Sequence, residues 1–221
     1  MSVPATKKIL IRKPKVLVQV VPDLVEVSPD IVELKINVPD VITPSKLQTK
    51  EWRKSQDWYK GGKRTECDLY QRNLIKKITD VETLKDTGIR LNTRTHELRK
   101  LSNFSDRPDG FDWTEDFDGY IESYDMYINL KMVCDKGGVQ TRSLREVYSF
   151  IEAQLNHLLL DIPKKPFFIN ILDGDTSFSF IDKFKYLLSL DEYKDVKKYV
   201  FVGDMDTFRE CFTAKQFLNC V

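Results

Sequence analysis

Residues 116–142 read DFDGYIESYDMYINLKMVCDKGGVQTR. Two strand-like runs, FDGYIES and MYINLKMVC, are joined by a link as short as SYD, which predicts an antiparallel hairpin. KGG ends the second run. The segment QTRSLREVYSFIEAQLNHLLL then places Leu144, Val147, Ile151, Leu155 and Leu158 at the spacing of one helical face. Side chains alternate along a strand, so Asn129, Lys131 and Val133 share one face of the second run. Asp118 opens the first run and meets that face if the two strands pair.

Beyond the helix, PFFINILD is a nearly continuous apolar run of the kind a buried strand shows. TSFSFIDKFKYLLSL reads as a helix capped by Thr176 or Ser177, KYVFVGD as a further strand and MDTFRECFTAKQFLNC as a last helix. Before the hairpin, TECDLYQRNLIKKI puts Cys67, Tyr70, Leu74 and Ile78 at helical spacing. VETLKDTG reads as a short helical turn closed by Gly88, and GIRLN opens a strand. Strands in a meander, followed by strands alternating with helices, predict an α/β (α+β) domain: a mixed β-sheet flanked by helices.

Residues 1–45 differ from this body. Pro-Asp steps recur at 22–23, 29–30 and 39–40, each followed by aliphatic residues. Proline removes a backbone donor and favours extended chain, so we read an extended N-terminal arm before a 46–221 domain. The basic and apolar start lacks a clean signal-peptide pattern. No run of about eighteen apolar residues predicts a membrane span. Cys67, Cys134, Cys211 and Cys220 are widely spaced and the chain has only two histidines, which argues against a zinc site or a disulfide framework. Reduced thiols fit an intracellular protein, cytoplasmic or nuclear.

The net charge of +1 hides segregation. Residues 46–77 carry ten Lys or Arg against four acids, and residues 106–125 carry eight acids and one arginine. A basic stretch beside an acidic cluster suits a polyanion held against a metal. Solvated charged faces are the bland alternative. The aromatics of EWRKSQDWYK interleave with basic residues, so Trp52 and Trp58 suit either nucleic-acid contact or core anchoring. Gly137 and Gly138 precede a helix N-terminus, a place for phosphate, where Gln140, Arg142 and Arg145 add donors and charge. The Gly-Lys-Ser/Thr ending of a P-loop is absent.

The order helix, three strands, helix, strand, with Asp118 followed by the NLK of Asn129–Lys131, resembles the PD-(D/E)xK nuclease superfamily, most closely its type II restriction endonuclease branch. The resemblance spans roughly residues 65–175. It implies a restriction-endonuclease-like core and Mg²⁺-dependent (or Mn²⁺-dependent) hydrolysis of DNA phosphodiester bonds. Asp118 would be the metal ligand and Lys131 the residue that positions or activates water. The superfamily's second acid is Asn129 here, a weaker Mg²⁺ ligand than a carboxylate. Glu66, on the preceding helix, and Asp116, two residues before Asp118, are the candidates to supply the charge; Glu122, Asp125 and Asp135 stand behind them. Lys63, Arg64, Lys136, Gln140, Arg142 and Arg145 would hold double-stranded DNA, and a homodimer would cut both strands. Asn129 also keeps open a catalytically weak nuclease-fold protein serving as a DNA-binding or interaction module. A third reading places the chemistry at Asp173 and Asp175, where capping of helices is the ordinary role. His96 and His157 have no evident partner.

Overall fold

The computed structural model describes residues 49–61, 64–85, 87–101, 112–134 and 137–212. The arm expected at 1–45, Lys63, Asp135, Lys136 and Cys220 lie outside the described residues, as does the side chain of Arg64.

The elements run α1 (Thr49–Lys54), α2 (Arg64–Thr79), β1 (Ile89–Leu91), β2 (Leu98–Lys100), β3 (Gly119–Ile121), β4 (Met126–Met132), α3 (Gly138–Leu159), β5 (Phe167–Asp173), α4 (Asp175–Ser179), α5 (Ile181–Ser189), β6 (Val200–Gly203) and α6 (Met205–Cys211). The main sheet is mixed, in the order β3-β4-β5-β6. The expected hairpin forms: β3 pairs antiparallel with β4, with Gly119 opposite Ile128 and Tyr120 opposite Tyr127. β4, β5 and β6 are mutually parallel. The strand order advances in one direction, so two crossovers of the same hand must run over the same face. Accordingly, α3 and α5 share one apolar layer.

Alternation along each strand divides the core in two. Phe168, Leu172, Val200 and Val202 face α3 and α5, together with Leu144, Val147, Ile151 and Phe184. Ile128, Leu130, Ile169, Ile171 and Phe201 face the other way, against Ile75 of α2 and Met205 and Phe208 of α6. Phe168 is fully buried between Phe117, Tyr127 and His157. Burying a side chain of that size contributes about 2 kcal/mol.

Three expectations are corrected. β1 pairs with β2 in a separate two-stranded sheet rather than extending the meander. Residues 81–85 form no helical turn; Leu84 bridges to Tyr120 instead, continuing the sheet edge beyond β3. The helix after β5 breaks at Phe180 into α4 and α5, and α4 starts after Gly174, not after Thr176 or Ser177. Gly174 has φ +110°, and a Cβ there would meet the backbone of Val133 at 2.2 Å. Only glycine can turn the chain at the end of β5 so close to the end of β4.

The buried stripe of α2 is Gln71, Ile75 and Thr79, with Leu74 and Ile78 beside it. Tyr70 is rotated off that face because it packs under Trp58, in a stack with ring centroids 4.6 Å apart, and against Trp52. These two tryptophans thus anchor α1 to α2. No helix among the described residues is long and apolar enough to cross a membrane. Cys67, Cys134 and Cys211 are free thiols.

Candidate functional site

Strand β4 ends the hairpin with its odd-numbered side chains toward α3. Lys131 emerges there, only 18% exposed, and its Nζ lies 3.3 Å from Oε2 of Glu115, which is 70% exposed. Across the floor, Arg142 and Arg145 project from the first turns of α3, three residues apart and so on one face. Both are exposed, and neither is ion-paired among the described residues. Together with Asn129, Trp113, Glu146 and Phe150 these residues line a cleft of about 340 Å³. The third wall is the segment 112–117. It is pinned to β1 by Thr114 N donating to Leu91 O, Leu91 N donating to Thr114 Oγ1, and the bridge of Asn92 to Trp113.

Asp118 lies at the edge of the same strand pair. Its Oδ2 accepts the Leu130 N–H at 2.7 Å, one residue from Lys131. Burial raises the pKa of this carboxyl; the Leu130 N–H and the nearby Lys131 charge oppose that rise. Asp68 and Arg72 of α2 also act on it electrostatically, and they pair with each other at 3.0 Å. So α2 does lend an acid to the neighbourhood, but the acid is Asp68. The carboxylate of Glu66 accepts the Lys60 N–H at 3.0 Å.

The structure brings together Lys131, Asn129, Arg142 and Arg145, with Asp118 adjacent. It does not gather Asp118, Glu66 and Asp116: among the described residues, no group of three or more His, Cys, Asp or Glu is placed to hold a metal ion. Asp116 fails the alternation expected of it because residues 114–117 are not a strand, and it pairs with Arg90 of β1. Asn129 is almost fully buried, and its amide donates to Asn170 Oδ1 at 3.2 Å. Asn170 in turn exchanges hydrogen bonds with Gln154 and donates to Phe201 O. Gln140 lies at the start of α3, beside Gly137.

Several other candidates have structural work. Asp125 binds Tyr120 Oη and Lys164, and Glu122 is exposed on a 3-10 turn. The buried His157 faces His96 O through Nδ1 at 2.8 Å, and burial lowers its pKa. Much of the basic stretch is likewise occupied: Lys54 pairs with Glu51, Arg72 with Asp68 and Lys76 with Glu82, and Arg53 lies over Tyr59.

At the ends of β5 and β6, Asp173 accepts from Gln71 Nε2 at 2.7 Å and from Met205 N at 3.1 Å. Asp204 is the N-cap of α6, accepting from Thr207 N at 2.7 Å, and Asp175 accepts from Lys50 N. Of these acids Asp204 takes the expected capping role, whereas Asp173 and Asp175 bind donors from distant parts of the chain. Desolvation of the Asp173 carboxyl outweighs the two hydrogen bonds it accepts and raises its pKa to about 6.

Sequence reasoning missed Glu115 and Trp113. Both sit in an irregular segment with no periodic signal, and Glu115 reaches Lys131 across sixteen positions of chain. No family model matches this chain, and no curated protein or solved structure is significantly similar to it.

Proposed function

We propose that this protein is a metal-dependent endonuclease acting on DNA, with a sheet of the restriction-endonuclease kind. The observation that carries this reading is the register of β3 on β4. It sets the Asp118 carboxylate on the Leu130 N–H, beside a lysine that opens into a cleft walled by two arginines in no ion pair among the described residues.

The donor set fits Mg²⁺ in a limited way. Magnesium is commonly bound by one or two carboxylates, with the rest of its shell from water and phosphate. Glu115, which pairs with Lys131, and Asp118, on which the Lys131 charge acts, are the residues that would hold it. Asn129 spends its Nδ2 donor on Asn170 Oδ1, and its neutral side-chain oxygen is a weaker Mg²⁺ ligand than a carboxylate. When bound, the ion supplies positive charge at the phosphate and a more acidic water. The chain's own groups do the remainder. Lys131, released from Glu115, donates to a phosphate or water oxygen where negative charge grows. Arg142 and Arg145 grip phosphate oxygens and fix the strand relative to Asp118. Phe150 and Val147 add apolar surface to the lining of the cleft.

Plasmid nicking with Mg²⁺, against an EDTA control, tests this. Wild type is expected to nick in Mg²⁺ alone. Asp118→Ala and Lys131→Ala are expected to lose at least about a hundredfold in rate while binding DNA. Arg142→Glu with Arg145→Glu is expected to lose binding and its salt dependence.

A second reading, a DNA-binding module on the same sheet, is favoured by Asn129 standing where an acid is needed and being committed to Asn170. Binding without nicking under Mg²⁺ and Mn²⁺ alike selects it.

A further inference from the structure

The cleft has a size and a lining that choose among forms of DNA. A volume of about 340 Å³ is that of a cube about 7 Å on edge. The major groove alone is about 12 Å wide, so no duplex enters. A single base, about 3.4 Å thick in a stack, does.

The lining divides to match. Cationic groups, Lys131, Arg142 and Arg145, occupy the β4 and α3 sides, and Trp113 stands on the opposite wall with Phe150 below. Arg99 lies 5.7 Å from the Trp113 ring centroid, which steadies the indole. The indole N–H is shut off from solvent and has no acceptor among the described residues.

We propose that the cleft takes one unpaired nucleotide of a DNA strand, its phosphate on Arg142, Arg145 and Lys131 and its base against Trp113. This rests on the nucleic-acid reading above and narrows its substrate. Strands with a single-stranded stretch or an extruded base are held, and a fully paired duplex is gripped only through its outer phosphates. Unpairing a base costs a few kcal/mol in a perfect duplex and least where the base is already unpaired. The preference therefore follows from the shape of the cleft and from no base-specific contact.

The test is equilibrium binding by fluorescence anisotropy, in EDTA so that nothing is cut. The DNAs are a single strand, a perfect duplex, and the same duplex carrying a one-nucleotide bulge, with 2-aminopurine at the bulged position. The bulged duplex and the single strand are expected to bind about tenfold tighter than the perfect duplex, with 2-aminopurine quenched on binding. Trp113→Ala, shown folded by its thermal melt, is expected to erase the quench and the preference and to keep the perfect-duplex affinity. Trp113→Phe, which keeps a ring, retains most of both. Equal affinity for all three DNAs with no quench overturns the inference and leaves the nucleic-acid reading standing. Failure to bind any of them overturns both.

Discussion

On the α3 face of the sheet, Asn129, Asn170 and Gln154 bond to one another in the interior while Lys131, Arg142 and Arg145 stand around an open cleft. On the α2 face the arrangement is reversed. Asp173 meets Gln71 and the first turn of α6, beside the apolar layer of Ile75, Ile171, Phe201 and Phe208. One face uses neutral amides for structure and sets its charges around the cleft. The other uses a charge-bearing group for structure. The comparison teaches which polar residues to suspect: a carboxylate with both oxygens bound by the fold, as in Asp173, is holding it, and an exposed arginine in no ion pair among the described residues is available.

The sharpest break of this comparison is Asn170→Ala. The substitution leaves Gln154, the Asn129 amide and Phe201 O short of partners in a dry layer. Orphaned buried groups cost about 1–3 kcal/mol each and part of that is recovered by relaxation, so a loss of about 3 kcal/mol is expected in urea unfolding. If Asn170→Ala unfolds within about 1 kcal/mol of wild type, the amides are not structural. Asn129 would then return as a candidate ligand.

Next in size is the pH response of the α2 face. Asp173 has a folded pKa of about 6 against an ordinary 3.8. A carboxyl whose pKa is higher in the folded chain than in the unfolded one stabilises the fold when protonated. That contribution is complete below about pH 4 and is lost as pH rises through 6. Thermal melts of wild type should show this group adding about 1–2 kcal/mol on going from pH 7 to pH 4.5, after discount for the partial exposure of the residue. Asp173→Asn should remove that increment, although it also gives up one of the two hydrogen bonds the carboxylate accepts. An Asp173 carbon resonance that titrates near 4, with the same pH slope in both proteins, would show that the carboxylate is free and revive it as a ligand.

How much of this contrast was legible in the chain depends on how local its cause is. The β3–β4 hairpin, α3 and β5 could be read because alternation, a helical stripe and an apolar run are each written within a few residues. Arg142 and Arg145 could be read because a helix start after Gly137-Gly138 fixes where they point. The separate β1–β2 sheet could not, since GIRLN looks the same whichever strand it joins. The break at Phe180 was hidden inside a continuous apolar pattern. The carboxylates were the worst guide. Eight crowd into residues 106–125, and partners far away in sequence decide which are free. Arg90 takes Asp116, the Leu130 N–H takes Asp118 and Lys131 takes Glu115. Alternation could not place Asp116 because the chain before Gly119 is held to β1 by loop hydrogen bonds rather than as a strand.

The smallest effect sits where the two kinds of polar group meet. Glu115 is mostly exposed and its pair with Lys131 spans 3.3 Å, so the pair adds less than about 1 kcal/mol to stability. It nonetheless holds Lys131, and on the proposed reading a phosphate must displace it. In EDTA, with no cation for Glu115 to bind, Glu115→Gln removes a negative charge from the mouth of the cleft. It should tighten DNA binding several-fold at low salt, with the gain shrinking as salt rises, and leave the melting temperature nearly unchanged. The same substitution should slow nicking in Mg²⁺ if Glu115 helps to hold the ion, so binding and cleavage would move in opposite directions. A module without catalysis shows the gain alone. Unchanged binding in EDTA would place Lys131 outside the phosphate contact and reduce the cationic wall of the cleft to the two arginines of α3.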